Sequence, residues 1–230
     1  MEPLLASSPD EKAAATTREA IRLFRRYQVE IVEAFNLCPW AQRARSEGAI
    51  AERVFLQSTP DLDPILTAVR ELSPQSNVEL CIFLFPNLAV DKPSFDRFVS
   101  QLVREDAEHH GPGRIPFAMA AFHPEASADM TTPDRLIPFL RRTPDPTIQL
   151  VRSSVLERVK SGKGDGTRFV DFASLDLADL SALAATKSVR QRIGEANLET
   201  VQSSGVERLE RITESISRDR AQSYSRIADG

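Results

Sequence analysis

The sequence predicts an α/β protein with a small three- or four-stranded sheet, at least partly parallel, that is covered by helices and followed by a helical C-terminal extension. Apolar residues form nearly continuous runs at 78–85 and 115–122, which is typical of strands buried on both faces. Between these runs, apolar residues from Phe95 to Val103 recur at the spacing of a helix packed on a sheet. This alternation of strands and helices indicates a layered α/β fold.

The N-terminal part predicts a long helix behind a loose lead-in. Residues 1–15 are mostly small and polar, and Thr16 or Thr17 can cap a helix because a glutamate follows at capping-box distance. Helically spaced apolar residues continue as far as Phe35. We expect the helix to end there, since Pro39 disfavours the helical conformation in the residue before it.

The other predicted elements complete a core domain and a tail. They are a strand at 53–57, a helix at 61–72, an irregular proline-rich loop at 125–146 and a helix from Pro146 to Lys160. We therefore expect a core domain at 16–160, followed at 161–230 by a glycine-rich hinge and a helical tail. The tail is expected to pack on the domain or to form a homodimer contact with a second copy.

Composition limits the classes of function. The chain has 230 residues, a net charge of −4, three histidines and two cysteines. The acidic balance argues against nucleic-acid binding, and two cysteines exclude a disulfide scaffold or a four-thiolate metal site. The N-terminus lacks the features of a signal peptide, and no window is apolar enough to span a membrane. We therefore expect a cytoplasmic protein without membrane or nucleic-acid partners.

Cys38 is the first candidate for chemistry. If Pro39 opens a helical turn, Cys38 becomes its N-cap, where the helix dipole and free N–H groups favour the thiolate and lower the pKa of the thiol. The alternative is that Cys38 packs as a small apolar residue, as free cysteines often do. Cys81 lies in the middle of an apolar run and is expected in the core.

His123 is the second candidate, because it leaves the carboxyl end of a buried strand, where open α/β sheets place their ligands. Its ring could serve as a general base, a thiol partner or a metal ligand, or it could stabilise the turn before Pro124. Arg142 and Arg152 could hold a carboxylate or phosphate, helped by the N-terminus of a helix at Pro146. Ordinary ion pairing is the alternative for both arginines.

A metal site is the weakest of these predictions. Glu125, Asp129 and Asp134 follow His123 and supply oxygen ligands, but their spacing matches no defined metal motif. We expect solvated loop carboxylates and no cofactor, with a divalent cation near His123 as the alternative.

Three short motifs follow one another along the chain. The sequence reads NLCPWA from Asn36, FHP around His123 and RTPDPTIQLVR from Arg142 to Arg152. These motifs resemble those of a bacterial family, domain of unknown function 1415, whose members typically read NLCPFA, FHP and RSPxPxxxLLR. The resemblance covers roughly residues 16–160 and implies one domain there, with no assigned activity.

The resemblance also implies that the motif residues form the functional site. Cys38 and His123 are the expected catalytic residues, and the expected substrate-binding residues are Asn36, Trp40, Arg142 and Arg152. Trp40 replaces the phenylalanine of the family. The last motif often carries a histidine where this chain has Gln149, so a metal site that uses this position is not expected here.

These residues together predict a small-molecule enzyme with one cleft where Cys38, His123 and the Arg142/Arg152 pair converge. Cys38 is its nucleophile or redox thiol, His123 is the base or orienting partner, and the arginines hold an anionic substrate group. One alternative is a non-catalytic binding or assembly module with a dimerising tail, whose motifs are packing corners and turns. Another is a metal-dependent hydrolase around His123.

Overall fold

The chain folds around a four-stranded mixed sheet. A computed structural model describes residues 8–38, 41–111, 114–126, 136, 139–160 and 189–230. The strands are β1 (Ile50–Val54), β2 (Leu80–Leu84), β3 (Phe117–Phe122) and β4 (Thr147–Arg152). Their order is β1-β2-β4-β3, with β1 parallel to β2 and β4 antiparallel to both of its neighbours. The predicted α/β class and the partly parallel sheet are confirmed.

Helices surround this sheet and form the C-terminal extension. Within the described residues they are α1 (Pro9–Tyr27), a π-helix (Gln28–Glu33), α2 (Ala41–Ser46), α3 (Asp63–Leu72), α4 (Lys92–His110), α5 (Ser153–Lys160), α6 (Val189–Ser204) and α7 (Val206–Asp229). None of these helices is both long enough and apolar enough to cross a bilayer. The predicted glycine-rich hinge lies outside the described residues.

The first helix begins earlier than the sequence pattern suggests. Ser8 caps α1 by accepting from the N–H of Glu11, while the Glu11 carboxylate accepts from the N–H of Ser8 (2.7 Å). This is a complete capping box, followed by proline at the first helical position, where its missing N–H costs nothing. The expected caps Thr16 and Thr17 instead bond back to carbonyls one turn earlier. Residues 9–15 are therefore helical and not part of a loose lead-in.

The largest error in the predicted secondary structure concerns β4. The expected helix from Pro146 to Lys160 is a strand over its first part and a helix, α5, only from Ser153. Ile148 and Leu150 are fully buried on one face of the sheet, and β-branched residues favour a strand here. Consequently there is no helix N-terminus at Pro146 to bind an anion.

The first strand is also displaced from its predicted position. The sequence pattern predicts it at 53–57, whereas β1 is in register with β2 from Ile50 to Val54. Phe55 follows the strand and packs against the rings of Phe83 and Phe85, with centroids 5.2 Å away in each case. Its apolar character therefore reflects ring packing just beyond the strand.

The sheet separates two apolar cores, because alternate side chains of a strand point to opposite faces. All five residues of β2 are buried. Cys81 and Phe83 pack with α3 and α4 on one face, while Ile82 and Leu84 pack with α1, the π-helix and α7 on the other. This confirms the prediction of a central strand covered on both faces.

Candidate functional site

The π-helix leads the chain from α1 towards the first motif. Its wider turns include the bond from the N–H of Leu37 to the carbonyl of Val32 (2.8 Å). Such helices are rare and often lie at functional sites. The carboxamide of Gln28, which is buried, donates to Glu33 (3.1 Å), and Glu33 in turn forms an ion pair with Arg45 of α2. These contacts join the π-helix, which precedes the first motif, to α2, which begins at the last residue of that motif.

Asn36 ends this helical segment and turns the chain towards Cys38. Its φ of 49° lies in the left-handed region, which asparagine tolerates better than most residues. Asn36 is exposed, and Cys38 is half-buried with its carbonyl accepting from the N–H of Ala41 (3.3 Å). Trp40 and the proline expected to start a helical turn after Cys38 lie outside the described residues.

Tyr27 is a titratable side chain between Cys38 and the residues that immediately precede the third motif. Its hydroxyl is buried and donates to the carbonyl of Leu140 (2.6 Å). Burial raises the pKa of Tyr27, the charge of Arg141 lowers it, and a thiolate at Cys38 raises it. The phenol therefore lies within electrostatic range of both groups. The sequence pattern does not single out Tyr27, because its position fits the apolar stripe of α1.

His123 is buried and bonded to backbone at both ring nitrogens. Its Nδ1 accepts from the N–H of Glu125 (3.2 Å), and its Nε2 lies 3.0 Å from the carbonyl of Val90. An N–H can only donate and a carbonyl can only accept, so in these bonds Nδ1 is the acceptor and Nε2 the donor. The ring thus connects the end of β3 to the loop before α4. In this arrangement it has no free lone pair for the Cys38 proton.

Arg142 lies next to His123 in space, because the N–H of His123 donates to the carbonyl of Arg141 (3.0 Å). Its Nε makes a long bond of 3.5 Å to the carbonyl of Pro124, and its guanidinium lies over the ring of Phe139. Among the residues that the structure describes, no carboxylate lies within ion-pair distance of Arg142. It is a half-buried cation without an acidic partner in this part of the chain.

A small cavity adjoins Arg142. Its volume is about 10 Å³, room for about one water molecule. Tyr27 and Ile31 form one wall, Arg142 and Pro144 a second, and Ile216 of α7 a third. Pro124 of the second motif also lines the cavity, so the second and third motifs meet here beside Tyr27, with α7 on the other side.

Arg152 does not belong to this cluster, contrary to the expectation that both arginines converge with Cys38 and His123. Arg152 ends β4 opposite Phe117, whereas His123 follows the other end of β3, about 17 Å away along the strands. Its guanidinium donates to four backbone carbonyls and lies over the Phe117 ring. Those carbonyls belong to Leu72, Ser73, Gln75 and Val78. Arg152 therefore satisfies the carbonyls at the end of α3.

Asp145 is a buried carboxylate that the sequence pattern does not single out. One of its oxygens accepts from Nε of Arg220 and the other from the hydroxyl of Tyr224, both at 2.7 Å and both from α7. Burial raises the pKa of Asp145, and the nearby Arg220 lowers it, with burial the larger effect. The residue lies inside the third motif, so the C-terminal helix contacts this motif directly.

The described residues contain no group of three or more histidine, cysteine or carboxylate side chains placed to hold a metal ion. The candidate ligands Asp129 and Asp134 lie outside them. Gln149 pairs with Ile82 and Ala120 in the middle of the sheet.

The fold and the cluster define an α/β protein in which Pro124 of the second motif and Arg142 to Pro144 of the third motif line a pocket beside Tyr27. The family model "Protein of unknown function (DUF1415)" matches residues 19–168, which is more than half of the chain. The chain therefore belongs to this family, in agreement with the resemblance of its motifs. No curated protein and no solved structure shows a significant match to it. Helices α6 and α7 follow the matched region.

Proposed function

We propose that this protein is a thiol-dependent enzyme that acts on a small anionic substrate at the cavity between the π-helix and the loop at 141–146. The observation that carries the proposal is Arg142, a half-buried cation without a described carboxylate partner on the wall of that cavity. A guanidinium whose contacts among the described residues are one long hydrogen bond and an aromatic ring is suited to bind a carboxylate or phosphate in two-point fashion.

Cys38 is the reacting thiol in this proposal, acting as nucleophile or redox group. It is half-buried and interacts electrostatically with Tyr27, which lines the same cavity as Arg142. His123 has a positioning role, because its bonds to Val90 and Glu125 orient the loop that carries Pro124. A chain of 230 residues with two cysteines suits a reducing compartment, and on that ground we place the protein in the cytoplasm.

The first prediction concerns the two thiols. In the folded protein at neutral pH, a thiol reagent is expected to label Cys38 and to leave Cys81 unmodified. Cys81 is fully buried, and burial raises the pKa of its thiol to about 12, so almost no thiolate is present. Mass spectrometry of the intact protein and of its peptides measures both rates.

Matched serine variants make this test specific. Cys81→Ser should retain single, fast labelling, whereas Cys38→Ser should show labelling only when the protein unfolds. If Cys38 reacts no faster than Cys81 in the folded protein, the proposed thiol chemistry is wrong.

The second prediction concerns the anion site. Inorganic phosphate is expected to slow the labelling of Cys38, because an anion held by Arg142 would occupy the cavity beside Tyr27. Arg142→Met should weaken the protection of Cys38 by phosphate by about tenfold or more, because the variant loses the charge-assisted bond to the anion. Arg104→Met, at an exposed position of α4, is the matched control and should change nothing. Equal protection in both variants would contradict the role of Arg142.

A non-catalytic binding module is the second candidate. The observation that favours it is that two polar motif residues, His123 and Arg152, bond to backbone N–H or carbonyl groups of neighbouring loops. This candidate predicts phosphate binding without any turnover dependent on Cys38. A Cys38→Ser variant that binds phosphate as the wild type does, in a protein whose Cys38 is unreactive, would support it.

A further inference from the structure

Helix α7 covers the candidate site from outside the matched family region. It packs along α1, with Leu209 and Ile216 buried at 2% exposure each. Ile216 also forms a wall of the cavity beside Arg142. A space of about 10 Å³ does not admit an ion as large as phosphate while α7 is docked.

The attachment of α7 combines apolar packing against the core with polar contacts. Its Asp219 carboxylate accepts from Arg22 (2.8 Å) and Arg26 (2.7 Å) of α1, and all three side chains are partly exposed. Its Arg220 and Tyr224 bind the Asp145 carboxylate. Of the 24 residues of α7, only Leu209, Ile216 and Ser223 are buried.

An intrachain interface whose ion pairs are partly exposed, and to which α7 contributes three buried residues, resembles a transient interface, across which relative motion is the ordinary expectation. Elements held in this way open at a lower free energy than core strands do. Detachment of α7 also returns the Asp145 carboxylate to water, and its hydration offsets part of the free energy of breaking its bonds to Arg220 and Tyr224. The apolar core around β2 keeps its packing against α3 and α4, because they lie on the opposite face of the sheet.

We propose that α7 is an intrachain cover of the candidate site, which detaches as a unit and thereby opens the cavity to an anionic ligand. The identity of the ligand rests on the proposed function, whereas the detachment of α7 does not. A ligand that binds only the open form has an apparent affinity reduced by the fraction of molecules that are open. The cover therefore sets the affinity of the site without touching the ligand.

Hydrogen exchange of the full-length protein tests the detachment. In the wild type, amides of α7 are expected to exchange at a lower opening free energy than those of β2 and β4. Leu209→Ala removes a buried side chain of α7 that does not line the cavity, and should speed the exchange of α7 by about tenfold or more. Ile227→Ala, on the same helix and only partly buried, is the matched control and should have little effect.

A second measurement needs no substitution. Raising the salt concentration from about 0.05 to about 0.5 M should speed exchange in α7 selectively, because it screens the partly exposed pairs of Asp219. If α7 exchanges only together with β2 and β4, in the wild type and in Leu209→Ala alike, it is an integral part of the core and the proposal is overturned.

Phosphate binding then tests the consequence of opening. Leu209→Ala should bind inorganic phosphate about tenfold more tightly than the wild type or Ile227→Ala, since a larger fraction of the variant is open. Faster exchange of α7 with unchanged phosphate affinity would overturn the proposal that α7 covers the binding site. If neither protein binds phosphate, the proposed function fails, and the exchange data still decide whether α7 detaches.

Discussion

Replacing Arg152 by alanine is expected to lower the free energy of unfolding by about 3 kcal/mol, because it removes a charged donor from four backbone carbonyls, three of them in partly buried bonds. The guanidinium bonds to Val78 (2.6 Å) and Gln75 (2.7 Å), makes longer bonds at the end of α3, and lies 4.6 Å from the centroid of the Phe117 ring. Urea unfolding followed by far-ultraviolet circular dichroism measures the loss. Labelling of Cys38 should be unchanged in the folded variant.

Two further variants interpret this result. Arg152→Lys keeps the charge but not the planar fork, so an intermediate loss is expected. Arg53→Met removes an exposed arginine from β1 and should change the free energy of unfolding by less than about 0.5 kcal/mol. A loss for Arg152→Ala as small as that of Arg53→Met would mean that water satisfies the carbonyls equally well.

Replacing Arg220 by methionine is expected to lower the free energy of unfolding by about 2 kcal/mol at neutral pH, because the buried Asp145 carboxylate loses its counter-charge. The effect falls short of a fully broken buried pair, since the Tyr224 hydroxyl still donates to Asp145. Arg218→Met, at an exposed position of the same helix, is the matched control. The same urea unfolding measurement serves both variants.

The loss in Arg220→Met should depend on pH in a defined direction. Burial raises the pKa of Asp145 in the folded protein, and removal of Arg220 raises it further. A folded carboxyl with a raised pKa binds its proton more tightly than the same carboxyl does in the unfolded chain, where the pKa of aspartate is about 3.9. The loss is therefore full above the raised pKa and shrinks as the pH falls through it. Combining Asp145→Asn with Arg220→Met should recover part of the lost free energy of unfolding at neutral pH. A loss that does not depend on pH would contradict the assignment of the effect to the Asp145 carboxylate.

Much of the secondary structure could be predicted because its signals are local. The apolar run around β2 and the helical spacing of α4 each lie within one short stretch of sequence. The start of α1 is encoded in the same way, since Ser8 and Glu11 form a capping box that competes in the sequence with the one suggested by Thr16 and Thr17. That error concerns the choice between two local signals.

The error at β4 has a different cause. Thr147–Arg152 is short, and a short apolar segment beside a proline fits either a helix or a strand by pattern alone. Pairing with β2 on one side and β3 on the other decides for the strand. Those partners lie far away in sequence, so no window around Thr147 contains the deciding information.

The candidate site, too, could be predicted from the sequence only in part. Residue type and motif order made Cys38, His123 and Arg142 candidates, but they did not reveal the contacts that each of them makes. His123 bonds to the carbonyl of Val90, and Arg152 bonds to carbonyls at the end of α3, at sequence separations that no motif covers. Tyr27 was missed because a tyrosine in an apolar helical stripe carries no separate signal.

The sequence by itself determined the family, the class of fold and most helices and strands, because capping, periodicity and motif order act within short stretches of chain. Only the tertiary structure decided that β4 lies between β2 and β3, that Arg152 lies away from the site, and that α7 covers it. The bonds of α7 to Arg22 and Asp145 join residues 197 and 75 positions apart, respectively. Such pairs form because burial brings their elements together, and burial is a property of the whole fold.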